Sequence, residues 1–244
     1  MIKTFILYNE LEIDRHILVS NLKACFQEHE VIKAIYPKQI HVPFLNKIQS
    51  ISHKRTGVAL NSAEIGCLLS HRKIWKQILN RNDKPNQAYL IVESDAVVNN
   101  LNDIEKQFDK MHQLYDLFFW GAFEGRVKLF RSTRKKMNSP TSSNLRYTYG
   151  SPFIKSLYCT YGYSLNKKSA TYLLSVTNQF RYPVDFWKKN LFNCNLSVGA
   201  IQPELISIQN GLLSTIQFSN KNSIKKLVLF ILVEIKNRII VFFK

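Results

Sequence analysis

Two carboxylates separated by one residue follow a short apolar run. Residues 88–92 read AYLIV, which is typical of a strand buried on both faces, and Glu93-Ser94-Asp95 come directly after it. Open α/β sheets bind ligands at the carboxyl ends of their strands, so we expect both acids at such an edge. Two acids there can hold a hard divalent cation, Mn²⁺ or Mg²⁺, with positions open for phosphate oxygens. Glu93 and Asp95 are therefore predicted metal ligands; the alternative is an ordinary surface turn.

The elements that must position these acids alternate between strands and helices. Strands are predicted over residues 3–8, 31–36, 88–92 and 116–120, with helices over 12–27, over 61–80 and near 101–113. In the helix over 61–80, Asn61 can cap the first turn, Glu64 can complete a capping box, and Trp75 belongs to the buried stripe. The alternation predicts an α/β fold with a mostly parallel sheet flanked by helices.

The remaining chain is less regular. Residues 38–60 have mixed turn and loop character, and residues 122–156 are basic, weakly periodic and typical of a functional loop or lid. A strand over 160–165 and a helix over 167–177 capped by Asn166 follow. A short helix from Pro183 through Phe192 and strands over 195–201 and 205–209 complete the pattern.

The chain of 244 residues carries 34 basic and 17 acidic side chains, a net charge of +17. Residues 1–124 have a net charge of +1, whereas residues 125–244 hold 19 basic and three acidic side chains, a net charge of +16. This asymmetry predicts an anionic partner: nucleic acid, a membrane surface or a phosphorylated substrate. With 45% hydrophobic residues, the composition is that of a folded globular chain.

Several classes are excluded by motif. The four cysteines are far apart and form no zinc spacing, which favours free thiols in a reducing compartment. No signal peptide is expected at the N-terminus, since the apolar stretch there is too short. The eight glycines form neither a dinucleotide fingerprint nor a Walker A loop.

Residues 221–244 differ from the rest of the chain. They combine 14 large apolar residues with six basic residues and one glutamate, and the longest apolar run is too short to span a bilayer. We predict a basic amphipathic helix lying on an anionic membrane surface, next to a domain over residues 1–220. The alternative is a terminal helix docked on the core.

Residues 60–71 (LNSAEIGCLLSH), followed by residues 89–96 (YLIVESDA), resemble glycosyltransferase family 25, the family of bacterial lipooligosaccharide galactosyltransferases. The hallmark of that family is G-E-I-G-C-x-L-S-H and then a strand ending in E-D-D. Three later stretches are similar to it as well: residues 115–121 (YDLFFWG), 160–170 (TYGYSLNKKSA) and 183–185 (PVD). The chain departs from the family pattern at Ser94, where the middle acid is expected, at Ala63, and in a partial basic match over residues 14–16.

The resemblance implies a glycosyltransferase-A-type (Rossmann-like) fold, a nucleotide-sugar donor and inversion at the anomeric carbon. Inversion needs one general base on the acceptor hydroxyl. Asp185 is the first candidate and Glu124 the second; the alternative for Asp185 is an acid favoured by the helix dipole.

The same resemblance extends to donor binding. It favours Ser70, His71 and Glu93 as donor-binding residues, while Tyr8 and Arg15 follow the first strand and can meet the nucleotide. Taken without the motif, a helix histidine is more often a structural residue.

Two functional hypotheses result. The first is a metal-dependent hexosyltransferase that moves galactose from UDP-galactose to a lipid-linked oligosaccharide at the cytoplasmic face of the inner membrane. The second is a non-enzymatic cationic module for membranes or nucleic acid. Nucleic acid is the weaker partner, since no zinc finger, RNA-binding aromatic motif or helix-turn-helix is present.

Overall fold

Eight strands form one mixed sheet in the part of the chain that the computed structural model describes, which is residues 1–122, 135–138, 146–154 and 157–209. The strands are β1 (Thr4–Tyr8), β2 (His29–Lys33), β3 (Tyr89–Glu93), β4 (Ala96–Val98), β5 (Leu117–Gly121), β6 (Lys135–Asn138), β7 (Arg146–Gly150), β8 (Gly162–Leu165), β9 (Val198–Gln202) and β10 (Ile206–Ile208). The helices are α1 (His16–Cys25), α2 (Val42–Thr56), α3 (Ser62–Asn80), α4 (Leu101–Leu114), α5 (Lys167–Thr177) and α6 (Trp187–Asn190). Short 3₁₀ turns cover Ile13–Arg15 and Pro37–Gln39.

The order across the sheet is β2-β1-β3-β8-β5-β9-β7-β6, and β4 pairs with β10 in a separate ribbon. Strand β1 is parallel to β2 and β3, and β5 is parallel to β9. Strand β8 lies between β3 and β5 and is antiparallel to both, and β7 is antiparallel to β9 and β6. Most strands therefore run in one direction, as predicted, but the two reversed strands are interior and make most neighbouring pairs antiparallel.

Alternating side chains of the strands divide the core between the two faces of the sheet. On one face, residues such as Phe5, Tyr89 and Phe119 pack with α3, α5 and α6. On the other face, Leu90 and Trp120 pack with α1 and α4. Because β3 and β5 are buried on both faces, each reads as a continuous apolar run rather than an alternating one.

Two expectations from the sequence are wrong. Residues 38–60 contain the helix α2, which ends at Thr56 and is followed by Gly57 in the left-handed conformation (φ 78°). Ile48 and Ser52 are its buried residues, so its apolar stripe is too narrow to show in the sequence. Residues 122–156 contain two strands, β6 and β7, where a loop without regular structure was expected.

The other elements lie close to their predicted bounds, with one shortening. The helix expected from Pro183 through Phe192 covers only Trp187–Asn190, because residues 183–186 form turns closed by their own backbone hydrogen bonds. Glu124 and the predicted basic helix over residues 221–244 lie outside the described residues. Among the helices of the described ranges, none has the length and apolarity needed to cross a membrane.

Candidate active site

The acidic turn is held on both sides by backbone hydrogen bonds. Glu93 is the last residue of β3, and its N–H donates to the carbonyl of Tyr161 at 3.2 Å. Asp95 precedes β4, and its carbonyl accepts from the N–H of Gln209 at 2.9 Å, beyond the partner strand β10. Both carboxylates therefore project from a fixed backbone at the carboxyl end of β3.

Helix α3 brings a histidine to this turn. The predicted capping box is present: the Glu64 N–H donates to Asn61 Oδ1 at 2.9 Å, and the Asn61 N–H donates to Glu64 Oε2 at 2.8 Å. One turn later Gly66 packs so closely that an added Cβ would lie 2.7 Å from the carbonyl oxygen of Ile35. Glycine at this position lets α3 approach the segment after β2.

Glu93 and Asp95 line a cavity of about 580 Å³, a volume that suits a small-molecule ligand. Four parts of the chain contribute most of its lining: the acidic turn, the segment that joins α2 to α3, the segment before β8 and the segment before α6. Its polar and charged lining side chains include Arg15, Glu64, Cys67, Glu93, Asp95, Thr160, Arg181, Tyr182 and Asp185.

Glu93 is fixed by two donors to one carboxylate oxygen. His71 Nε2 lies 3.0 Å from Oε1, and the Thr160 hydroxyl donates to the same oxygen. Burial alone would raise the pKa of Glu93, but these hydrogen bonds and the charge of Arg15 outweigh it, so the pKa is lowered. These contacts favour the ionised form of the Glu93 carboxylate.

His71 is held from behind by two aromatic side chains. Its Nδ1 lies 2.8 Å from the hydroxyl of Tyr163, and the indole N–H of Trp75 donates to that hydroxyl at 3.0 Å. All three side chains are 0% exposed, so water has no access to the hydrogen bonds between them.

Asp95 forms an ion pair with Arg15, whose Nη1 lies 3.1 Å from Oδ2. The same Nη1 donates to the Ser94 hydroxyl at 3.0 Å. Residue 94 is an acid in the family pattern and a serine here, and this serine helps to hold the Arg15 guanidinium. Burial and the charge of Glu93 raise the pKa of Asp95 to about 6. Its other oxygen, Oδ1, is buried and has no hydrogen-bond partner among the described residues.

The carboxylate oxygens of Glu93 and Asp95 suit a hard divalent cation. A buried carboxylate oxygen without a partner is costly unless a cation or a proton satisfies it. Asp95 Oδ1 is such an atom, and both hydrogen bonds to Glu93 use Oε1, which leaves Oε2 for another ligand. Carboxylate oxygens are the ligands that Mg²⁺ and Mn²⁺ prefer.

A second group of potential ligands lies beside the acids. The ligand atoms of Cys67, His71 and Glu93 are within 4.8 Å of one another. Burial and the three nearby carboxylates raise the pKa of the Cys67 thiol well above its ordinary value. A protonated thiol is a poor metal ligand, so this group is less suited to a cation than the two carboxylates.

Asp185 enters the cavity from the turn before α6. The Trp187 N–H donates to its carbonyl at 2.8 Å, which fixes the backbone. Burial, followed by the negative charge of Glu93 and of Glu64, raises the pKa of Asp185 to about 6. A carboxylate with that pKa is largely ionised at pH 7 and can accept a proton.

Comparison with protein families is decisive. The family model of glycosyltransferase family 25, described as an LPS biosynthesis protein, matches residues 1–187. The chain belongs to glycosyltransferase family 25. Comparison with individual curated proteins finds no significant match. Family membership makes this protein a glycosyltransferase of lipopolysaccharide biosynthesis, with a sugar donor and an acceptor as substrates. The helix-flanked mixed sheet is consistent with a glycosyltransferase-A-type fold.

The structure brings together four of the predicted site residues of this glycosyltransferase. Arg15, Glu93, Asp95 and Asp185 all line the cavity, and His71 contacts Glu93 from the buried side. The grouping comes from segments that are far apart in the sequence. The cavity brings together the acidic turn, the 3₁₀ turn that contains Arg15 and the P-x-D segment.

Two other predicted donor-binding residues lie outside the cavity lining. Ser70 is buried; its hydroxyl donates to the Gly66 carbonyl at 2.7 Å and accepts from the Ile35 N–H at 2.8 Å. It joins α3 to the segment after β2. Tyr8 ends β1 at the same sheet edge, and its ring lies edge-on to His16 at 5.7 Å between centroids. Glu124 lies outside the described residues.

Thr160 and Tyr163 support the site through hydrogen bonds and could not be predicted from the sequence. Thr160 comes at the start of a predicted strand, and Tyr163 lies inside it. Their polar groups reach Glu93 and His71 because β8 is inserted next to β3 in the antiparallel direction. The signal available in the sequence was a set of hydroxyl-bearing residues in an otherwise apolar strand.

Proposed function

We propose that this glycosyltransferase is a metal-dependent, inverting hexosyltransferase. It transfers galactose from UDP-galactose to a lipooligosaccharide or lipopolysaccharide acceptor. The observation that carries the proposal is the pair Glu93 and Asp95, which shares one cavity with Asp185. Asp95 also has a buried oxygen without a hydrogen-bond partner among the described residues. The choice of galactose and of this acceptor rests on the resemblance to lipooligosaccharide galactosyltransferases.

In this proposal Glu93 and Asp95 would hold Mn²⁺ or Mg²⁺, and the ion would neutralise negative charge on the diphosphate of the donor. Arg15 is a second cation at the same place and can bind the phosphates directly when it leaves Asp95. The motif also leads us to propose Ser70 and Tyr8 as donor-binding residues. Ser70 would act by holding α3, and Tyr8 by its position at the sheet edge.

Asp185 is the proposed general base. Its carboxylate accepts the proton of the acceptor hydroxyl while that oxygen attacks the anomeric carbon. The bond from this carbon to the diphosphate oxygen breaks, and UDP leaves with the electron pair. Inversion follows because attack and departure occur on opposite faces of the sugar.

The proposed metal site is tested by Asp95→Asn. This change keeps the shape of the side chain but removes its charge, so we expect Mn²⁺-dependent transfer from UDP-galactose to fall about 100-fold or more. Asp83→Asn is the matched control, because Asp83 also forms an ion pair, with Lys3 at 2.8 Å, and does not line the cavity. Full activity in Asp95→Asn, measured with excess Mn²⁺, would rule out the metal assignment.

The acceptor leads to a further proposal on location. A lipid-linked oligosaccharide is presented at a membrane, and the predicted basic segment over residues 221–244 carries six Lys or Arg residues. We therefore propose that the enzyme works at the cytoplasmic face of the inner membrane, bound to anionic lipid through that segment.

A further inference from the structure

A continuous line of hydrogen bonds runs from the core to the cavity. It passes from the indole of Trp75 to the hydroxyl of Tyr163, then to the imidazole of His71, and ends at Glu93 Oε1. The three distances are 3.0, 2.8 and 3.0 Å. Of the four side chains, only Glu93 lines the cavity.

The chemistry of the first member fixes the direction of the line. An indole N–H is a donor only, so the Tyr163 oxygen must accept from Trp75. The Tyr163 hydroxyl hydrogen then needs an acceptor, and His71 Nδ1 is the one that its described contacts provide. Because burial raises the pKa of Tyr163 well above its ordinary value, the hydroxyl keeps that hydrogen.

The direction then decides which nitrogen of His71 carries a hydrogen. Nδ1 accepts from Tyr163, so the ring hydrogen is on Nε2, where it is donated to Glu93. A histidine that accepts at one nitrogen and donates at the other is neutral. In this tautomer the Nε2–H orients Glu93 through its hydrogen bond to Oε1.

We propose that Tyr163 and Trp75 are positioning residues of the active site: through hydrogen bonds of fixed direction, they hold His71 in the Nε2–H tautomer and thereby fix Glu93 Oε1. Because His71 and Thr160 both bind Oε1, the other oxygen of Glu93 is left for a ligand in the cavity. The role of that oxygen as a metal ligand rests on the proposed function, but the tautomer does not.

The tautomer is tested by ¹⁵N NMR of the histidine rings, with the His71 signals assigned by their loss in His71→Gln. In the wild-type protein we expect Nε2 to carry the hydrogen and Nδ1 to show the shift of a hydrogen-bonded acceptor. Tyr163→Phe keeps the ring but removes the hydroxyl, so Nδ1 should move toward the shift of an acceptor without a hydrogen bond. A hydrogen on Nδ1 in the wild-type protein, or an unchanged Nδ1 in Tyr163→Phe, would overturn the proposal.

The consequence for Glu93 is measured as the affinity of the metal-free enzyme for Mn²⁺ alone. Residues that hydrogen-bond to a metal ligand typically change the metal affinity by 10–100-fold. We therefore expect the Mn²⁺ affinity to fall about 10-fold in Tyr163→Phe and by less in Trp75→Phe. Tyr89→Phe is the matched control, since Tyr89 is equally buried on β3 and its hydroxyl donates to Asp83 outside the cavity lining.

The two proposals fail in different ways. If Mn²⁺ does not bind the wild-type protein, the metal part of the proposed function is wrong, while the NMR result still decides the positioning role. If Mn²⁺ binds equally well to Tyr163→Phe and to Tyr89→Phe, the positioning role is wrong and the metal site stands.

Discussion

Asp185 faces two other carboxylates across the cavity, and this arrangement sets the pH at which it can accept a proton. Burial and the charges of Glu93 and Glu64 raise its pKa to about 6. Below that pH the carboxyl is protonated and cannot act as a base; above it the carboxylate is available.

The pH dependence of kcat/KM follows from this value. With excess Mn²⁺, we expect kcat/KM to rise about tenfold per pH unit below pH 6 and to level off above it. Asp185→Asn should lower the plateau by about 10²- to 10⁴-fold, the usual contribution of a general base. A pH profile over the acid limb, measured for both proteins, checks this. Nearly full activity in Asp185→Asn would move the role of base to another residue.

A variant of Glu64 tests the acid limb of the same kcat/KM profile. Glutamine serves as well as glutamate in a capping box, so Glu64→Gln keeps the start of α3 while it removes one of the charges that raise the pKa of Asp185. The acid limb of the profile should therefore move to lower pH. A limb that stays in place would show that another group controls it.

The charged residues of the site were easier to predict from the sequence than the residues that hydrogen-bond to them. The place of Glu93 and Asp95 at the sheet edge could be predicted, because both acids directly follow a buried strand. Thr160 and Tyr163 could not, because a hydroxyl in a strand has many uses. Which carboxylate or imidazole it meets depends on the order of the strands.

Among the elements, α3 contributes most to the site. It provides a cap at Glu64, a cavity thiol at Cys67 and a buried donor at His71. Its orientation depends on two contacts with Ile35: the close approach at Gly66 and the hydrogen bond to Ser70. The E-I-G-C-x-L-S-H stretch thus combines residues that place the helix with residues that serve the cavity.

The close approach is tested by Gly66→Ala. Alanine is the better helix former by about 1 kcal/mol, but its Cβ would lie 2.7 Å from the Ile35 carbonyl oxygen. Overpacking of this kind costs about 1–3 kcal/mol, so we expect a net decrease in the free energy of unfolding, measured by urea titration.

The control is a double-mutant cycle with Ser70→Ala. Both changes act on Ile35, so their effects should add up to more than the effect of the double variant. A Gly66→Ala protein more stable than wild type would show that α3 has room to shift, which contradicts the proposed packing.

The elements also show where pattern alone fails. The capping box and the wide apolar stripe of α3 made it predictable, whereas α2 buries few side chains and lacked such a stripe. The direction of β8 was not predictable either, because a strand buried on both faces has the same apolar pattern in a parallel and an antiparallel position. That direction decides which end of β8 lies beside Glu93.

For the molecule as a whole, the charge asymmetry divides into two parts. Arg181 lines the cavity, so some of the excess positive charge lies there. Lys188 and Lys189 lie in α6, which directly follows the segment that lines the cavity. Much of the remaining positive charge lies outside the described residues. There, residues 221–244 have a net charge of +5. The two parts predict different partners, a phosphorylated substrate for the first and anionic lipid for the second.

The membrane part is tested by removing residues 221–244. Each Lys or Arg near an anionic surface contributes about 1 kcal/mol of binding free energy. The full chain should therefore bind phosphatidylserine vesicles at least about 100-fold more tightly than the truncated chain does. Added salt should weaken this binding, and phosphatidylcholine vesicles serve as the uncharged control. Transfer to a soluble acceptor should persist in the truncated enzyme. If the segment is instead a helix docked on the core, truncation will lower the free energy of unfolding and leave vesicle binding unchanged, because the apolar residues would then be buried in the protein.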